Sequence, residues 1–296
     1  MEGRGNNSSS GGEQSPSAGD KEGKKFVREP SKSKSSRLPS QVKGGEKTEA
    51  EGKHIDDLLD PAYTHRYECA DKDATEVLVA QDPLGSLRGG IGATVWDSAL
   101  VLCRYLEHQK ICFQSGCSVL DIGSGTGIVG LVLACSQKRC RVTLSDHPRT
   151  IPLLAKNAEM NRKIWESKDS KVKIEALDWC DDSPDAAATI QKWKNERFDI
   201  ICASDVVIWP ELYDPLIRVL SSLLERGGLS VYLSYEQRKK SNEKEFFQKL
   251  SRKVPGVSIA KIKAKDLHPD YQSSELHLYL IGSRPTDEKN SDKKTE

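Results

Sequence analysis

Glycines at positions 123, 125 and 127 separate an apolar run, Ser118 to Ile122, from a second apolar run, Ile128 to Cys135. The first run is typical of a buried parallel strand, and the second predicts a helix. Glycine permits a sharp strand-to-helix turn with positive φ, and it lets a ligand approach bare backbone. Since a helix that starts here points its free N–H groups at the turn, the pattern indicates a nucleotide-type binding site.

The glycine turn by itself fits two kinds of ligand. The segment Gly125 to Gly130 matches the dinucleotide fingerprint, which is a weak signal without context. The spacing Gly123-x-Gly125-x-Gly127, with Asp121 two residues ahead, also fits a nucleoside that has no pyrophosphate. The next predicted strand ends in Asp146, which in either case would accept hydrogen bonds from the ribose hydroxyls. A turn or helix-cap carboxylate is the simpler alternative for this residue.

Two more predicted strands end in residues suited to a nucleoside. Lys171 to Leu177 is followed by Asp178 and Trp179, and Phe198 to Ser204 is followed by Asp205. Because parallel strands bring their carboxyl ends to one edge of the sheet, these residues are expected to share a rim with the glycine turn. An acid followed by an aromatic side chain can hydrogen-bond an adenine amine and cover its ring. The chain has no second glycine fingerprint for a nicotinamide half-site, so S-adenosylmethionine is favoured over NAD.

The remaining periodicity predicts the elements that hold this rim together. Further strands are predicted at Glu76 to Ala80, Arg141 to Asp146, Leu229 to Tyr235, Val257 to Ile262 and Glu275 to Ile281. Further helices are predicted at Thr94 to Leu106, Arg149 to Arg162, Glu211 to Arg226 and Glu243 to Lys253. This alternation is typical of an α/β fold, a doubly wound Rossmann-like sheet with helices on both faces. The last two strands have no helix between them, so they are expected to pair antiparallel in an otherwise mostly parallel sheet.

Composition divides the chain into three parts. Residues 1–53 are rich in Ser, Gly, Lys and Glu, and residues 285–296 are also polar, so both segments are predicted to be disordered. Residues 54–284 are expected to form one domain. The basic stretch Lys32 to Arg37 is a weak nuclear or docking signal, or part of a solvated tail. The predicted location is the cytoplasm, with nuclear entry as the alternative, and a monomer is expected.

Charge and cysteine usage disfavour several functions. The chain has 45 Lys and Arg against 44 Asp and Glu, and its net charge of +1 does not favour general nucleic-acid binding. No apolar run reaches the length of a membrane-spanning helix. The 8 cysteines form no Cys-x-x-Cys pair and no cluster with histidine, so neither a metal site nor a disulfide framework is expected. A reducing compartment is the better prediction.

Six segments of the chain resemble, in the same order, the seven-strand protein-lysine methyltransferases of the methyltransferase-like 21 family, which modify chaperones, valosin-containing protein and translation factors. The segments are Gly92 to Asp97, Leu120 to Gly127, Leu144 to Asp146, Leu177 to Trp179, Ala203 to Val207 and Tyr235 to Arg238. The resemblance spans about residues 75 to 283 and implies a class I methyltransferase fold that transfers methyl groups from S-adenosylmethionine to lysine side chains.

The resemblance also assigns cofactor-binding residues. The matching positions in the family bind S-adenosylmethionine, and here they are Trp96, Gly123, Ser124, Gly125, Asp146, Trp179 and Ser204. Without the resemblance, Trp96 would be equally well interpreted as a core residue in the first turn of its predicted helix.

One position departs from the family pattern. The family carries Asp-x-x-Tyr after the fourth strand, where the motif is thought to position the substrate amine, and this chain has Asp205 to Ile208 there. Because Ile208 supplies no hydroxyl, we expect Asp205 to hydrogen-bond the incoming amine and Trp209 to line its channel. Tyr213 follows in the next helix. A helix cap ahead of Pro210 is the alternative role for Asp205.

The chemistry expected of this site is modest, because the sulfonium of the cofactor already activates the methyl group. The protein must align donor and nitrogen, and desolvation helps a lysine ammonium to lose its proton. No metal is required. Three other functions stay open: a cofactor-binding interaction protein without turnover, which Ile208 suggests, a small-molecule methyltransferase, and an NAD oxidoreductase. The absence of an Asn/Asp-Pro-Pro-Tyr motif argues against methylation of nucleic-acid bases or glutamine.

Overall fold

The computed structural model describes residue 55 and residues 60–73, 75–85, 90–111, 116–225, 227–238 and 240–283 of the 296-residue chain. At positions 240–242 and 283 only the backbone is described. The arm and the tail predicted to be disordered, residues 1–53 and 285–296, lie outside the described residues. Both therefore stay predictions.

The described residues contain a two-stranded and a seven-stranded sheet. The strands are β1 (His65–Glu68), β2 (Glu76–Val79), β3 (Ser118–Ile122), β4 (Arg141–Asp146), β5 (Lys171–Ala176), β6 (Ile200–Ser204), β7 (Ser230–Glu236), β8 (Val257–Lys261) and β9 (Leu276–Ser283). β1 and β2 pair antiparallel, and the others lie in the order β5-β4-β3-β6-β7-β9-β8. The five neighbouring strands β5, β4, β3, β6 and β7 are parallel, whereas β9 is antiparallel to both β7 and β8. The predicted α/β class and the antiparallel C-terminal pair are confirmed.

Helices connect these strands. The α-helices with described bounds are α1 (Asp97–His108), α2 (Ile128–Ser136), α3 (Ile151–Met160), α4 (Arg162–Ser167), α5 (Pro184–Glu196), α6 (Tyr213–Leu224) and α7 (Lys240–Lys253). Short 3₁₀ helices occupy Pro61–Tyr63, Gly90–Ala93, Pro210–Leu212, Ala264–Asp266 and Pro269–Tyr271. The crossovers reverse direction at β3, which lies between β4 and β6, so the predicted rim lies at the switch in strand order.

The sheet has an apolar core on each face. Val119 of β3 and Cys202 of β6 belong to the cluster that contains the buried residues of α1 and α2. Their neighbours Leu120 and Ile201 belong to the cluster that contains those of α6. Since successive residues of a strand point to opposite faces, helices cover both sides of the sheet. This explains why the central strands are apolar at nearly every position.

Several features differ from the sequence-based expectations. The sequence pattern missed β1, α4 and α5. α5 buries only Ala186 and Trp193 and therefore shows little apolar periodicity. Ser183 caps α5 by accepting a hydrogen bond from Ala186 N, and this Ser-Pro start was the available signal. A histidine inside the predicted strand Glu275 to Ile281 is most simply expected to be exposed, but His277 is only 6% exposed, because β9 lies between β7 and β8.

The cysteines are mostly core residues. Within the described part of the chain, free thiols are found at Cys69, Cys103, Cys135, Cys140, Cys180 and Cys202. Cys117 is disulfide-bonded, which the expectation of a reducing compartment did not anticipate. In the same residues no helix combines the length and the apolar composition needed to cross a membrane. Nor do three or more His, Cys, Asp or Glu side chains converge there in a group that could hold a metal ion.

Candidate active site

A cavity of about 290 Å³ opens where β3, β4, β5 and β6 end. Each site residue predicted from the sequence lines it: Trp96, Gly123, Ser124, Gly125, Asp146, Asp178, Trp179, Ser204, Asp205 and Trp209. These residues come from separate segments that only the sheet brings together. Their individual roles in binding and catalysis stay predictions.

The floor of the cavity is the glycine turn between β3 and α2. Gly123 and Gly125 have φ of +64° and +56°, a region that other residues rarely adopt. A Cβ on Gly123 would lie 2.7 Å from Val206 Cγ1, and one on Gly125 would lie 2.6 Å from Gly92 O. Because neither position has room for a side chain, bare backbone forms the surface that a ligand would touch.

The carboxylate of Asp146 holds this turn in place. Its Oδ2 accepts a hydrogen bond from Gly125 N at 2.7 Å, and its Oδ1 accepts one from His147 N at 2.7 Å. Burial raises the pKa of Asp146, although the hydrogen bonds from Gly125, from the Thr150 side chain and from His147 oppose the shift. These three donors leave about one of the four acceptor positions of the carboxylate for a ligand hydroxyl.

The loop after β5 forms the opposite wall. The Trp179 ring approaches Gly123 so closely that its outer carbons would lie 3.1 Å from a Cβ there. Arg218 of α6 anchors the loop, since its Nη2 donates to Trp179 O at 2.7 Å and to Asp181 O at 3.0 Å. The same guanidinium pairs with Asp182. The position of the Trp179 ring therefore depends on a helix that does not contribute to the glycine turn.

Asp178 has its own local partners. Its Oδ1 accepts a hydrogen bond from Cys180 N at 2.9 Å, and its Oδ2 lies 3.4 Å from His147 Nε2. His147 follows β4 and Asp178 follows β5, so this pair joins two adjacent strand ends at the mouth of the cavity. The Asp178 side chain is 38% exposed, which leaves it accessible to a ligand.

Trp96 precedes α1 and lies on the cavity wall rather than in the core. Its Nε1–H donates to Ile91 O at 2.9 Å, which holds the 3₁₀ turn Gly90–Ala93 beside the glycine turn. The Arg238 guanidinium lies over its ring, 5.4 Å from the centroid, at a distance typical of a cation–π contact. The sequence left open whether Trp96 lies in the pocket or in the core, and the structure places it in the pocket.

Asp205 is buried at the end of β6 and has a positive φ of +54°. Its Oδ1 and Oδ2 accept hydrogen bonds from Arg238 Nη1 at 3.0 Å and Nη2 at 2.9 Å, and Glu236 N donates to Oδ1 at 3.3 Å. The 3₁₀ helix Pro210–Leu212 has no side-chain cap. The alternative that Asp205 is a helix cap is therefore wrong, and the carboxylate belongs to an ion pair at the cavity wall.

The residues after Asp205 form an apolar part of the cavity. Ile208, Trp209 and Leu212 line it, and no phenol hydroxyl is present at the family's tyrosine position. Tyr213 does not replace it, because its ring is fully buried and packs edge-on against Phe246 with centroids 5.4 Å apart. Its hydroxyl has no described hydrogen-bond partner, and burial raises the pKa of Tyr213 to about 12.

Sequence reasoning missed other residues of the wall. Ile91, Thr94, His147, Arg149 and Thr150 also line the cavity. The last three come directly after β4, so their position behind a predicted strand end could have identified them as cavity residues. The first two reach the cavity only because the 3₁₀ turn folds back onto Gly125, which no local pattern indicates.

Comparison with known proteins identifies the family of this chain. A family model described as lysine methyltransferase matches residues 73–253. EEF1A lysine methyltransferase 3 of Xenopus tropicalis is 30% identical over 207 residues, which cover 70% of this chain and 81% of that protein. Protein N-lysine methyltransferase METTL21A of Danio rerio is 28% identical over 181 residues, which cover 61% and 77%. A solved structure of a predicted O-methyltransferase of Agrobacterium tumefaciens aligns with TM-score 0.44 and 17% identity, covering 64% of this chain and 84% of that one.

The cofactor of such enzymes, S-adenosylmethionine, fits the residues at the cavity. Asp146 retains acceptor capacity for a ribose hydroxyl, and the Trp179 ring offers a flat face for adenine. Gly123 and Gly125 present backbone without a side chain at the cavity surface. The chain belongs to the lysine methyltransferase family, whose members transfer methyl groups from S-adenosylmethionine to lysine side chains of proteins.

Proposed function

We propose that the methyl-accepting lysine of a protein substrate enters the cavity beside Asp205. The observation that carries this proposal is the placement of Asp205, a buried carboxylate with positive φ on the cavity wall next to Ile208 and Trp209. Strained backbone at a residue other than glycine is concentrated at functional sites. A buried acid flanked by an apolar wall suits the terminal nitrogen and the aliphatic stem of a lysine side chain.

The hydrogen-bond inventory of Asp205 supports this role. Two N–H groups of Arg238 and the N–H of Glu236 occupy three of the about four acceptor positions of the carboxylate. The remaining position is on Oδ2, which accepts only from Arg238 among the described residues. Asp205 can therefore accept one hydrogen bond from an incoming amine without releasing Arg238.

The chain performs the reaction chiefly by positioning. When bound, the cofactor supplies a methyl group activated by a sulfonium. To accept this methyl group, the lysine ε-nitrogen would have to arrive as a neutral amine with a free electron pair. Asp205 would orient that nitrogen through one N–H. Trp96, Ile208 and Trp209 exclude water, which favours the neutral amine, and the ammonium proton leaves to solvent beforehand.

The remaining predicted residues are proposed to hold the cofactor. Asp146 accepts a hydrogen bond from the ribose, and Asp178 and Trp179 contact the adenine amine and ring. Gly123 and Gly125 provide bare backbone. Ser124, Ser204 and Trp96 complete this set; the Ser124 hydroxyl donates to Ser145 O at 3.1 Å, so its side chain stabilises the turn.

A translation factor is the proposed substrate class, with chaperones and ATPases as the alternatives. The support is the name of one relative, EEF1A lysine methyltransferase 3 of Xenopus tropicalis, which is 30% identical to this chain. We further propose that the catalytic domain spans residues 54–284, around the family match at 73–253. A cytoplasmic location and a monomeric state stay predictions.

Methyl transfer from labelled S-adenosylmethionine into a whole-cell lysate tests the function. Wild type is compared with Asp205→Ala and with Gly123→Arg, which fills the glycine turn. A discrete labelled protein band that is lost in both variants supports the proposal and gives the size of the substrate. Label in an extract depleted of protein would instead support a small-molecule methyltransferase. Cofactor binding by calorimetry without any label would support a binding protein without turnover, and Ile208→Tyr would then be the variant to make.

A further inference from the structure

Arg238 lies two residues beyond β7, and its guanidinium binds the Asp205 carboxylate with both ends. Nη1 donates to Oδ1 at 3.0 Å and Nη2 donates to Oδ2 at 2.9 Å, the fork-to-fork geometry of the strongest charged hydrogen bonds. The Asp205 side chain is 3% exposed and that of Arg238 is 35% exposed. Asp205 therefore lies on the cavity wall, and the more exposed guanidinium of Arg238 pairs with it from outside the lining.

Among the side chains that the structure describes, two other charged groups act on this guanidinium. Glu236 Oε2 lies 3.2 Å from Arg238 Nη2, and Glu243 of α7 acts on the guanidinium from farther away. On the cavity wall, Asp146, His147, Arg149 and Asp178 are the further charged or titratable side chains apart from Cys180. Arg238 also lies over the Trp96 ring, so it contacts both a cavity acid and a cavity aromatic residue.

An acid next to a substrate lysine creates a conflict. A carboxylate without a counterion stabilises the ammonium form of a nearby amine, whereas methyl transfer requires the neutral form. A guanidinium attached to the same carboxylate cancels most of this effect, because the two charges largely compensate each other at the distance of the amine. The hydrogen bonds to Asp205 raise the pKa of Arg238, so the guanidinium keeps its charge over the whole working pH range.

We propose that Arg238 is a positioning residue that acts through Asp205: it holds the carboxylate in place as a hydrogen-bond acceptor and neutralises it, so that the lysine is received as an amine rather than as an ammonium ion. The inference rests on the proposed role of Asp205 in the same cavity. It goes beyond that role because it assigns the control of the protonation state of the substrate to a residue outside the lining of the cavity.

A binding experiment without turnover tests the proposal directly. The probe is n-butylamine, which at about pH 7 is almost entirely the ammonium ion. Calorimetry is done with wild type, Arg238→Gln, Asp205→Asn and the double variant Asp205→Asn/Arg238→Gln, each saturated with S-adenosylhomocysteine. We expect Arg238→Gln to bind the ammonium ion about tenfold more tightly than wild type, and the double variant to return to the wild-type value. Equal affinity in wild type and Arg238→Gln would overturn the proposal.

Turnover gives an independent readout that a purely structural role would not move. The pH profile of the initial labelling rate of the lysate band is measured for the same proteins. In Arg238→Gln we expect the initial rate to be about tenfold below the wild-type rate near pH 7 and to reach that wild-type rate about one pH unit higher. The apparent KM should not rise. Asp205→Asn, which leaves the guanidinium uncompensated, should shift the profile in the opposite direction. A rate that falls equally at every pH would show that Arg238 only stabilises the fold.

Two controls separate the possible failures. Arg238→Lys retains the positive charge but loses the fork, so it should keep the wild-type pH profile at a reduced rate. If Arg238→Gln does not fold, Asp205→Asn and the double variant decide the question, since neither contains an unpaired buried carboxylate at this position. If wild type labels no protein, the proposed function fails, while the n-butylamine experiment still tests the charge pairing of Asp205 and Arg238.

Discussion

The carboxylate that ends β4 and the turn that follows β3 are joined by one short hydrogen bond, from Gly125 N to Asp146 Oδ2 at 2.7 Å. The residue that we propose to bind the ribose thus also holds the backbone turn that we propose to hold the cofactor. Cofactor affinity should therefore depend on this carboxylate in two ways, through direct contact and through the turn.

Replacement of Asp146 by Asn should weaken S-adenosylmethionine binding by about 10- to 100-fold, because a hydrogen bond to a charged group contributes about 1.5–3 kcal/mol. Calorimetry of the purified protein measures the effect. The matched control is Asp266→Asn, an exposed aspartate that does not line the cavity and should leave the affinity unchanged. An unchanged affinity in Asp146→Asn would contradict the assigned role.

Gly123→Ala should abolish tight cofactor binding and lower the stability of the protein. The new Cβ would lie 2.7 Å from Val206 Cγ1 and 3.1 Å from the Trp179 ring, at a φ of +64°. Gly256→Ala is the matched control, since Gly256 has a φ of +79° and nothing lies within 4 Å of the added Cβ. The control should lose only the backbone term, about 1–2 kcal/mol in the free energy of unfolding, and keep its cofactor affinity.

Calorimetric titration measures the cofactor affinity of both glycine variants, and chemical denaturation measures their free energy of unfolding. Together they separate the effect of backbone strain from that of steric overlap with the added Cβ. The further change Val206→Ala in the Gly123→Ala background removes the closest atom and should recover part of the binding. Equal effects of Gly123→Ala and Gly256→Ala would mean that backbone conformation alone explains the loss, and that the contact with Val206 is unimportant.

Arg218→Gln should weaken cofactor binding several-fold, although Arg218 lies on α6 and its contacts are to the loop rather than to a ligand. It donates to the carbonyl oxygens of Trp179 and Asp181, and a lost charged hydrogen bond frees the loop that carries the Trp179 ring. Asp182→Asn removes only the ion pair with an acid whose side chain is 79% exposed, and it should change the affinity little. Calorimetry measures the cofactor affinity of both variants. Equal losses of affinity in the two would contradict this account.

Asp121 should make the stability of the fold depend on pH. Burial raises the pKa of this carboxyl to about 7, and its Oδ2 accepts a hydrogen bond from Gly130 N at 3.0 Å, whereas its Oδ1 has no described partner. The folded state therefore holds a proton that the unfolded state has released above about pH 4. The free energy of unfolding should fall as the pH rises from about 4 to about 7 and become level above that range.

Denaturant unfolding at several pH values, done for wild type and Asp121→Asn, isolates this contribution. The difference in the free energy of unfolding between the two proteins should vary between about pH 4 and about pH 7 and be constant on either side of that range. A difference that does not depend on pH would show that Asp121 is ionised throughout, with its burial offset by other contacts.

Much of the fold and the outline of the site follow from local sequence patterns. The glycines at 123, 125 and 127 and the apolar runs on either side predict a strand, a turn and a helix, because positive φ and periodicity are local properties. The ends of the parallel strands must then share one edge, which is why residues as distant as Gly123, Asp146 and Asp205 line one cavity.

Other features depend on contacts that no local pattern encodes. The sequence shows Asp205 and Arg238 as two charged residues far apart, and only the pairing of β6 with β7 brings them to 2.9 Å. Likewise, the position of β9 between two other strands buries His277, and the packing of α6 directs Tyr213 to the core. Periodicity and backbone preferences act within a few residues, and so they determined the elements and the rim. Charge pairing and burial act between elements, and so the tertiary structure alone decided which partner each polar group has.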